Sequence, residues 1–318
     1  MTTGGPGPSR RTRPERPVLR PGVPTLRRGD GHLQVGLEVG ARAVVPDTPD
    51  VRELLTALRT GDDLGALLGA PSTWPAEVNG ALDLLVRTDL VVAADTLLTT
   101  LAQAHRVGAD PGTVAALFAA DPDGVPARWS RRRDSPWAVD GPAPWAARLV
   151  DLLTAAGVPA TEGAPEDPAT PRVLLAVGEP DRGRADGPVR DGTPHLWVAL
   201  LPDRVRVGPL VEPGRSACLR CRDATLAESD PRLPLALALA VGDPGGLAPP
   251  PVDRAGAELA LSLATREVLA HVDGDDPATL SATVEIGGLA GPDAAPRARS
   301  WPRHAWCGCG WDELASPA

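Results

Sequence analysis

The four cysteines of this 318-residue chain lie in two close pairs, Cys218-Leu-Arg-Cys221 and Cys307-Gly-Cys309. A C-x-x-C turn directs two thiolates at one ion, and a second pair beside it completes a tetrahedral site for structural zinc. We therefore predict that Cys218, Cys221, Cys307 and Cys309 bind zinc. Two alternatives stay open: the thiols are ordinary free cysteines, or His304, three residues before Cys307, replaces one of them. A thioredoxin-like redox role is disfavoured because no Trp or Pro context accompanies Cys218 and Cys221.

The elements that must position these cysteines are predicted to form an α/β domain over residues 137–318. Apolar runs predict strands at Ala138–Asp140, Leu174–Val177 and Leu196–Leu200. A helix is predicted at Trp145–Ala156 and ends at Gly157. The remaining elements are two strands and one long helix: Val205–Val207, Thr279–Ile286 and Ala255–His271. Strands that alternate with helices are typical of an α/β layer architecture.

Residues 17–95 have the outline of a small winged-helix domain of the α+β class. Strand-like runs at Val23–Arg28 and His32–Leu37 are joined by Gly29-Asp30-Gly31, a hairpin signal because Asp-Gly tolerates a positive φ. A third strand is predicted at Ala41–Val45, and Leu90–Val92 is predicted to return as a closing strand. Three helices are predicted between them. The first begins after Asp47-Thr48-Pro49, a capping residue followed by proline at the first helical position, and ends at Gly61. The other two are predicted at Asp62–Leu68 and Pro75–Arg87.

Residues 96–136 are predicted to form a helical linker region. Leu97–His105 and Pro111–Ala120 have helical patterns, and Asp110 with Pro111 is a helix-start signal. Asp121–Pro136, which carries three consecutive arginines, is predicted to be a loop.

The N-terminal segment of the chain is rich in arginine, and the rest of the chain is acidic. The net charge is −9, and all 32 basic residues are arginine because the chain contains no lysine. Residues 1–16 are predicted to be a disordered tail. An acidic body disfavours general nucleic-acid binding. The longest apolar run, Leu235–Val241, is too short to span a bilayer, so we expect a cytoplasmic protein that does not bind membranes.

A nucleotide-binding motif is missing at the point where an α/β fold would place it. Between the strand at Ala138–Asp140 and the next helix, the residues are Gly141-Pro142-Ala143-Pro144-Trp145. Phosphate binding needs free backbone N–H groups, and each proline removes one. This region is therefore predicted to be a nucleotide-binding scaffold that has lost its nucleotide, so no ATP is expected on this chain.

No catalytic residue is predicted. The five histidines are scattered, and His195, at the start of an apolar strand, is interpreted as a core or capping residue. Asp181 and Asp186 lie in a Gly/Arg-rich loop and are interpreted as solvated. The tryptophans are interpreted as core or interface residues.

Four segments resemble a known family. They are Pro194-His195-Leu196, the run from Val207 through Pro213-Gly214-Arg215 to Cys218 and Cys221, Pro277–Val284, and the ending from Trp301 to Cys309. The chain resembles the ThiF-like partner proteins of azoline-forming cyclodehydratases, which make thiazole- and oxazole-modified ribosomal peptides. The match covers most of residues 17–311 in order.

The resemblance implies a winged-helix element that binds the leader of a precursor peptide, followed by a degenerate ubiquitin-activating-enzyme-like domain of Rossmann type. It implies structural zinc on the four cysteines. It also implies that ATP-dependent cyclisation belongs to a YcaO cyclodehydratase, and a homodimer is possible. The leader site is expected between the strand at Ala41–Val45 and the helix at Pro75–Arg87, where the leader would add a strand to the sheet edge.

Two other functions remain as alternatives. One is a ThiF-like adenylyltransferase that activates a carboxylate with ATP, which the missing lysine and Pro142 and Pro144 disfavour. The other is a winged-helix DNA-binding regulator with a zinc-stabilised effector domain, which the Arg-rich start alone supports. The expected function is a non-catalytic scaffold that binds the leader and presents the core peptide to the cyclodehydratase.

Overall fold

The chain folds into two compact units. The structure, a computed structural model, describes residues 12–38, 41–242, 250–287 and 295–309. The boundary between the units lies between Trp129 and Ser130.

A three-stranded antiparallel sheet opens the first unit. Its strands are β2 (Thr25–Arg27), β3 (His32–Glu38) and β4 (Ala41–Pro46), in the order β2-β3-β4. The turn between β2 and β3 holds Gly29 at φ +82° and Gly31 at φ +78°, a conformation that favours glycine. The three predicted strands and their hairpin are therefore confirmed, with shifts of one or two residues at their ends.

Three helices cover one face of this sheet. They are α1 (Pro49–Thr60), α2 (Leu64–Leu68) and α3 (Ala76–Arg87). The Thr48 side chain accepts a hydrogen bond from the Val51 N–H, and α1 ends at Gly61 in the left-handed region, as the capping signals predicted. Apolar side chains of the helices and strands form one core, which includes Val35, Val45, Leu54, Leu58, Leu82 and Leu85.

A second small sheet joins the two ends of this region. β1 (Pro17–Leu19) pairs antiparallel with β5 (Val91–Ala93), so β5 does not return to the three-stranded sheet. Two further helices, α4 (Ala94–Arg106) and α5 (Pro111–Ala120), pack with these strands through a separate apolar cluster. The two helices predicted for the linker region are therefore present, and they contribute to the core of the first unit.

The predicted loop at Asp121–Pro136 is wrong over most of its length, because Val125–Asp134 forms helix α6. Val125 and Trp129 lie one helical turn apart and are almost completely buried. Arg132, interpreted from the sequence as part of a charged loop, is buried and forms two hydrogen bonds with Asp273, at 2.9 and 2.6 Å.

A seven-stranded mixed sheet forms the centre of the second unit. The strands are β6 (Trp137–Asp140), β7 (Ala160–Glu162), β8 (Arg172–Val177), β9 (His195–Leu200), β10 (Arg204–Val211), β11 (Ala282–Gly287) and β12 (Arg297–Ser300). Their order in the sheet is β12-β11-β10-β9-β8-β6-β7. β6 to β9 are parallel, and β10 to β12 continue the sheet antiparallel from β9. This arrangement confirms the mixed α/β architecture.

The two faces of the sheet are covered differently. α7 (Trp145–Ala155) and α11 (Arg254–Asp273) pack on one face, over a large core that contains Leu175 and Val198. Side chains alternate along a strand, so Leu174 and Trp197 point to the other face and form a smaller cluster. That second cluster includes residues of α8 (Asp186–Arg190) and α9 (Leu219–Ala227), and α10 (Leu233–Gly242) follows α9. No helix among the described residues is both long and apolar enough to cross a membrane.

Candidate metal centre

The first cysteine pair lies at the start of α9. β10 ends at Val211, and a short turn follows in which the Glu212 N–H donates to Ser216 Oγ at 2.7 Å. Cys218 is the residue that precedes the helix, and Cys221 lies in its first turn. This one helical turn places the two sulfur atoms 3.7 Å apart.

The second cysteine pair lies on a loop that β12 and Trp301 hold against the sheet. The Trp301 backbone N–H donates to the Ser281 carbonyl at 2.7 Å, and its indole N–H donates to Thr283 Oγ1 at 3.0 Å. Between the two cysteines, Gly308 has φ +78°, which other residues rarely adopt. The glycine therefore lets the chain reverse so that Cys307 and Cys309 turn to the same side.

The four predicted cysteines come together, and the group can hold a metal ion. Cys218 Sγ lies 3.2 Å from Cys307 Sγ, and Cys221 Sγ lies 3.4 Å from Cys309 Sγ. All four sulfur atoms lie within 4.8 Å of one another. Four sulfurs bound to zinc at about 2.3 Å in a tetrahedron are about 3.8 Å apart, so the donor set fits such an ion.

His304 lies beside this group and is not part of it. Its backbone N–H donates to Cys221 Sγ at 3.4 Å. One ring nitrogen, Nε2, lies 3.1 Å from the Glu228 carboxylate, and the other, Nδ1, accepts the Trp306 N–H at 3.2 Å. Both ring nitrogens are therefore engaged elsewhere, and the structure does not support the alternative in which His304 replaces a cysteine.

The pKa values of the four thiols differ because the thiols form hydrogen bonds with one another. The Cys218 thiol donates to Cys221, and this bond is the main reason why the pKa of Cys221 is far below its usual range. The same bond is the main reason why the pKa of Cys218 is raised. The bond with Cys218 likewise lowers the pKa of Cys309 to about 7. A metal ion would take the place of the remaining protons, so binding is expected to release them.

A buried network of charges fixes α9 against the sheet. Arg182 lies 2.7 Å from the Asp223 carboxylate and 2.6 Å from that of Glu179. On the neighbouring strands, Arg206 Nε donates to Glu285 at 2.6 Å. Arg206 also lies 3.9 Å from the Glu179 carboxylate, so the network connects the helix that carries Cys221 to strands β10 and β11. No periodic pattern in the sequence indicates this network, because its members are far apart in the chain.

Arg222 extends the network to the second cysteine loop. It donates to Asp223 at 2.8 Å, and its guanidinium lies 5.5 Å from the centre of the Trp301 ring. Burial lowers the pKa of Arg222, and the nearby charge of Arg206 adds to that effect. Trp301 is thus held by both hydrogen bonds and a cation–π contact.

Arg184 contacts the carboxyl ends of strands β6 and β8. The Arg184 guanidinium donates to the carbonyl oxygens of Asp140 and Leu175, and it lies 3.0 Å from the Asp140 carboxylate. A side chain at Gly141 would place its Cβ 2.7 Å from Leu175 Cβ. Sequence reasoning missed Arg184, because a lone arginine in a loop carries no recognisable pattern.

Comparisons with known proteins show the fold. No family model and no curated sequence matches the chain. The structure of the heterocyclase TruD matches 95% of this chain at 15% identity with a TM-score of 0.60. A heterocyclase in complex with substrate and cofactor matches 94% of it, at 13% identity and a TM-score of 0.61. The chain spans only 44% and 40% of these two proteins.

A third similar structure is matched over nearly its whole length. The Microcin C7 biosynthetic enzyme MccB in complex with N-formylated MccA matches 92% of this chain and is itself covered over 99%, at 12% identity and a TM-score of 0.51. E. coli MccB with ATP gives the same coverage, at 13% identity and a TM-score of 0.51. The chain therefore has a fold similar to those of TruD and MccB.

The other residues weighed from the sequence have local structural roles. His195 is completely buried, its Nδ1 lies 3.2 Å from the Thr193 carbonyl, and burial lowers its pKa to about 4. This confirms its interpretation as a core residue. Asp181 caps the backbone N–H of Gly183 at 2.9 Å, and Asp186 is not simply solvated, because it forms an ion pair with Arg220.

The expected peptide site corresponds to one edge of the first unit. Among the described strands, β4 has a neighbour on one side only, and α3 packs against β4. Ala43 and Val45 of β4 point into the core, whereas Arg42 and Val44 are exposed. An edge strand leaves backbone N–H and C=O groups available to another chain.

Proposed function

We propose that this chain is a zinc-stabilised, non-catalytic scaffold. It binds the leader of a ribosomally made precursor peptide and presents the core peptide to a YcaO cyclodehydratase for azoline formation. The observation that carries the proposal is the similarity over 95% of the chain to less than half of the heterocyclase TruD. The shared fold is one part of that heterocyclase, and in our proposal cyclisation belongs to a different part.

The zinc supports structure and offers nothing to a substrate. Four cysteine ligands fill all four tetrahedral positions, so no position stays open for a water molecule or a carbonyl group. The bound ion would stabilise the fold by joining the start of α9 to the loop that follows β12. Zinc ligation contributes directly to folding free energy in small sites of this kind.

The leader would bind in the first unit as an added strand on the edge of β4. We take residues 17–95 to be the winged-helix recognition domain. Backbone hydrogen bonds to β4 would supply affinity, and the side chains on its exposed face would supply selectivity. Val44 is 39% exposed and lies on the outer face, so it is positioned to contact the leader.

A polarisation titration tests this site with the full chain. The probe is a fluorescein-labelled leader peptide from a precursor encoded beside the gene. The Val44→Asp variant places a charge on the β4 edge and is expected to weaken binding at least tenfold. Val107→Asp is the matched control, because Val107 has the same 39% exposure and lies in the same unit, just beyond α4. Equal binding by the two variants would remove β4 from the site.

A second candidate is an ATP-dependent adenylyltransferase, because MccB with ATP has a similar fold over 99% of its length. The contacts of Arg184 at the carboxyl ends of β6 and β8 favour the scaffold instead, since ligands of open α/β sheets bind at such strand ends. Pyrophosphate exchange with ATP by the purified chain would support the adenylyltransferase. The scaffold proposal predicts no exchange above the rate without protein.

A further inference from the structure

The backbone holds the two cysteine pairs in different ways. Cys218 and Cys221 lie at the start of α9 and are 5% and 0% exposed. Cys307 and Cys309 lie on a loop outside any helix or strand, and both are half-buried. Ligands on helices are positioned more precisely than ligands on loops, so the second pair depends on contacts that fix its loop.

His304 contacts one cysteine of each pair. Its backbone N–H donates to Cys221 Sγ at 3.4 Å, and its carbonyl accepts the Cys307 N–H at 3.0 Å. The second bond joins residues three apart, so it closes a β-turn over residues 304–307. Cys307 is the last residue of this turn. The conformation of the turn therefore sets the direction in which Cys307 points.

One ring nitrogen of His304 reinforces this turn. The Trp306 N–H donates to Nδ1 at 3.2 Å. A side chain that accepts from the N–H group two residues further on is the pattern of an Asx-turn, which asparagine and aspartate form. The His304 ring takes that role here, and its side chain is only 13% exposed. The turn is thus closed twice, once by the backbone and once by the ring.

The other ring nitrogen connects the turn to α9. Because Nδ1 accepts a hydrogen bond, the proton of the neutral ring is on Nε2, which donates to the Glu228 carboxylate at 3.1 Å. Glu228 directly follows α9, the helix whose first turn contains Cys221. The Glu228 side chain is 68% exposed, so this contact is open to water and contributes little on its own.

We propose that His304 is a positioning residue of the metal centre. Through its Asx-like turn it directs Cys307 towards the other three sulfur atoms, and it does not bind the ion itself. This role rests on the structural zinc of the proposed function. Residues that orient metal ligands in this way typically contribute about 10–100-fold to metal affinity.

The rate of zinc release tests this role. The full, zinc-loaded chain is mixed with an excess of a chelator, and the free ion is followed by absorbance. His304→Ala should still hold one ion before the chelator is added, because all four cysteines remain. It should then release the ion at least about tenfold faster than the unaltered chain. His105→Ala is the matched control, since His105 is an exposed histidine of the first unit and should leave the rate unchanged.

Two conservative variants separate the two ring contacts. His304→Asn can form the same turn, because asparagine accepts from the N–H group two residues on, so it should restore slow release. His304→Gln has a longer side chain that can reach Glu228 without forming that turn, so it should release zinc as fast as His304→Ala. The visible spectrum of the cobalt(II)-loaded chain should follow the same order, because its bands report the tetrahedral geometry of the four sulfurs.

The melting temperature of every variant separates a change at the metal from loss of the fold. If His304→Ala does not fold, the comparison of the Asn and Gln variants still decides. Slow release by His304→Ala would overturn the proposed role, as would equal rates for the Asn and Gln variants. An unaltered chain that binds no zinc would overturn the zinc centre and this role with it, whereas the first two results would leave the zinc centre standing.

Discussion

Removal of the Asp273 carboxylate should destabilise the second unit strongly. Arg132 and Asp273 form a two-bond ion pair at 2.9 and 2.6 Å, and their side chains are only 6% and 4% exposed. Arg132 also donates to the Ala156 carbonyl at 3.3 Å. Loss of one partner leaves a buried charge without its counterion, which costs about 3–5 kcal/mol. Since domains are typically stable by about 5–15 kcal/mol, Asp273→Ala would remove a large share of the total.

The double variant Arg132→Met/Asp273→Leu separates this cost from the value of the pair itself. Replacing both charges by apolar side chains is often neutral, so its unfolding free energy should return to within about 1–2 kcal/mol of the original. Urea unfolding followed by circular dichroism measures both variants. Asp134→Ala is the control on the same helix, because Asp134 pairs with Arg133 in a solvent-exposed position and should leave the midpoint unchanged. A single Asp273 variant as stable as the control would refute the reasoning.

Three further predictions concern the metal centre, a buried histidine and a glycine. Cys221→Ser should lower the zinc content below one ion per chain and lower the melting temperature, measured by atomic emission and calorimetry, whereas His304→Ala should keep the metal. Burial lowers the pKa of His195 to about 4 from its ordinary value of 6.5, so the folded state favours the neutral ring. Its contribution to the free energy of unfolding is therefore complete above about pH 6.5 and falls by at most about 3 kcal/mol as the pH drops towards 4. His195→Gln should flatten this part of the curve of unfolding free energy against pH. Gly214→Ala meets open space, so it should lower the free energy of unfolding only by the roughly 1–2 kcal/mol that a left-handed alanine costs. Gly208→Ala should lower it clearly more, because the new Cβ would lie 2.3 Å from the Ala282 carbonyl oxygen. Urea titrations of the two variants measure the difference.

Local signals predicted the elements whose sequences carry their own start and stop residues. Thr48 with Pro49 marks the start of α1, and Gly61 in the left-handed conformation marks its end. The pairing of the cysteines was also visible in the sequence, since Cys218 and Cys221 lie one helical turn apart. In each case the residues that decide the structure are neighbours in the chain.

The features that the sequence did not predict depend on contacts between distant residues. α6 is stabilised by the burial of Val125 and Trp129, and two apolar residues one turn apart are too short a pattern to reveal a helix. β5 pairs with β1 more than 70 positions away, a choice that no local signal records. Arg184 acquires its role only because the fold brings the ends of β6 and β8 beside it.

A reconstituted cyclodehydration reaction tests the central claim most directly. The precursor peptide, ATP and the YcaO enzyme would be incubated with and without this chain, and mass spectrometry would count the water molecules lost from the core peptide. The scaffold account predicts that dehydration depends on the chain, because leader binding raises the effective concentration of the core at the enzyme. It also predicts that a precursor without its leader gains nothing from the chain. Equal dehydration with and without the chain would contradict the account.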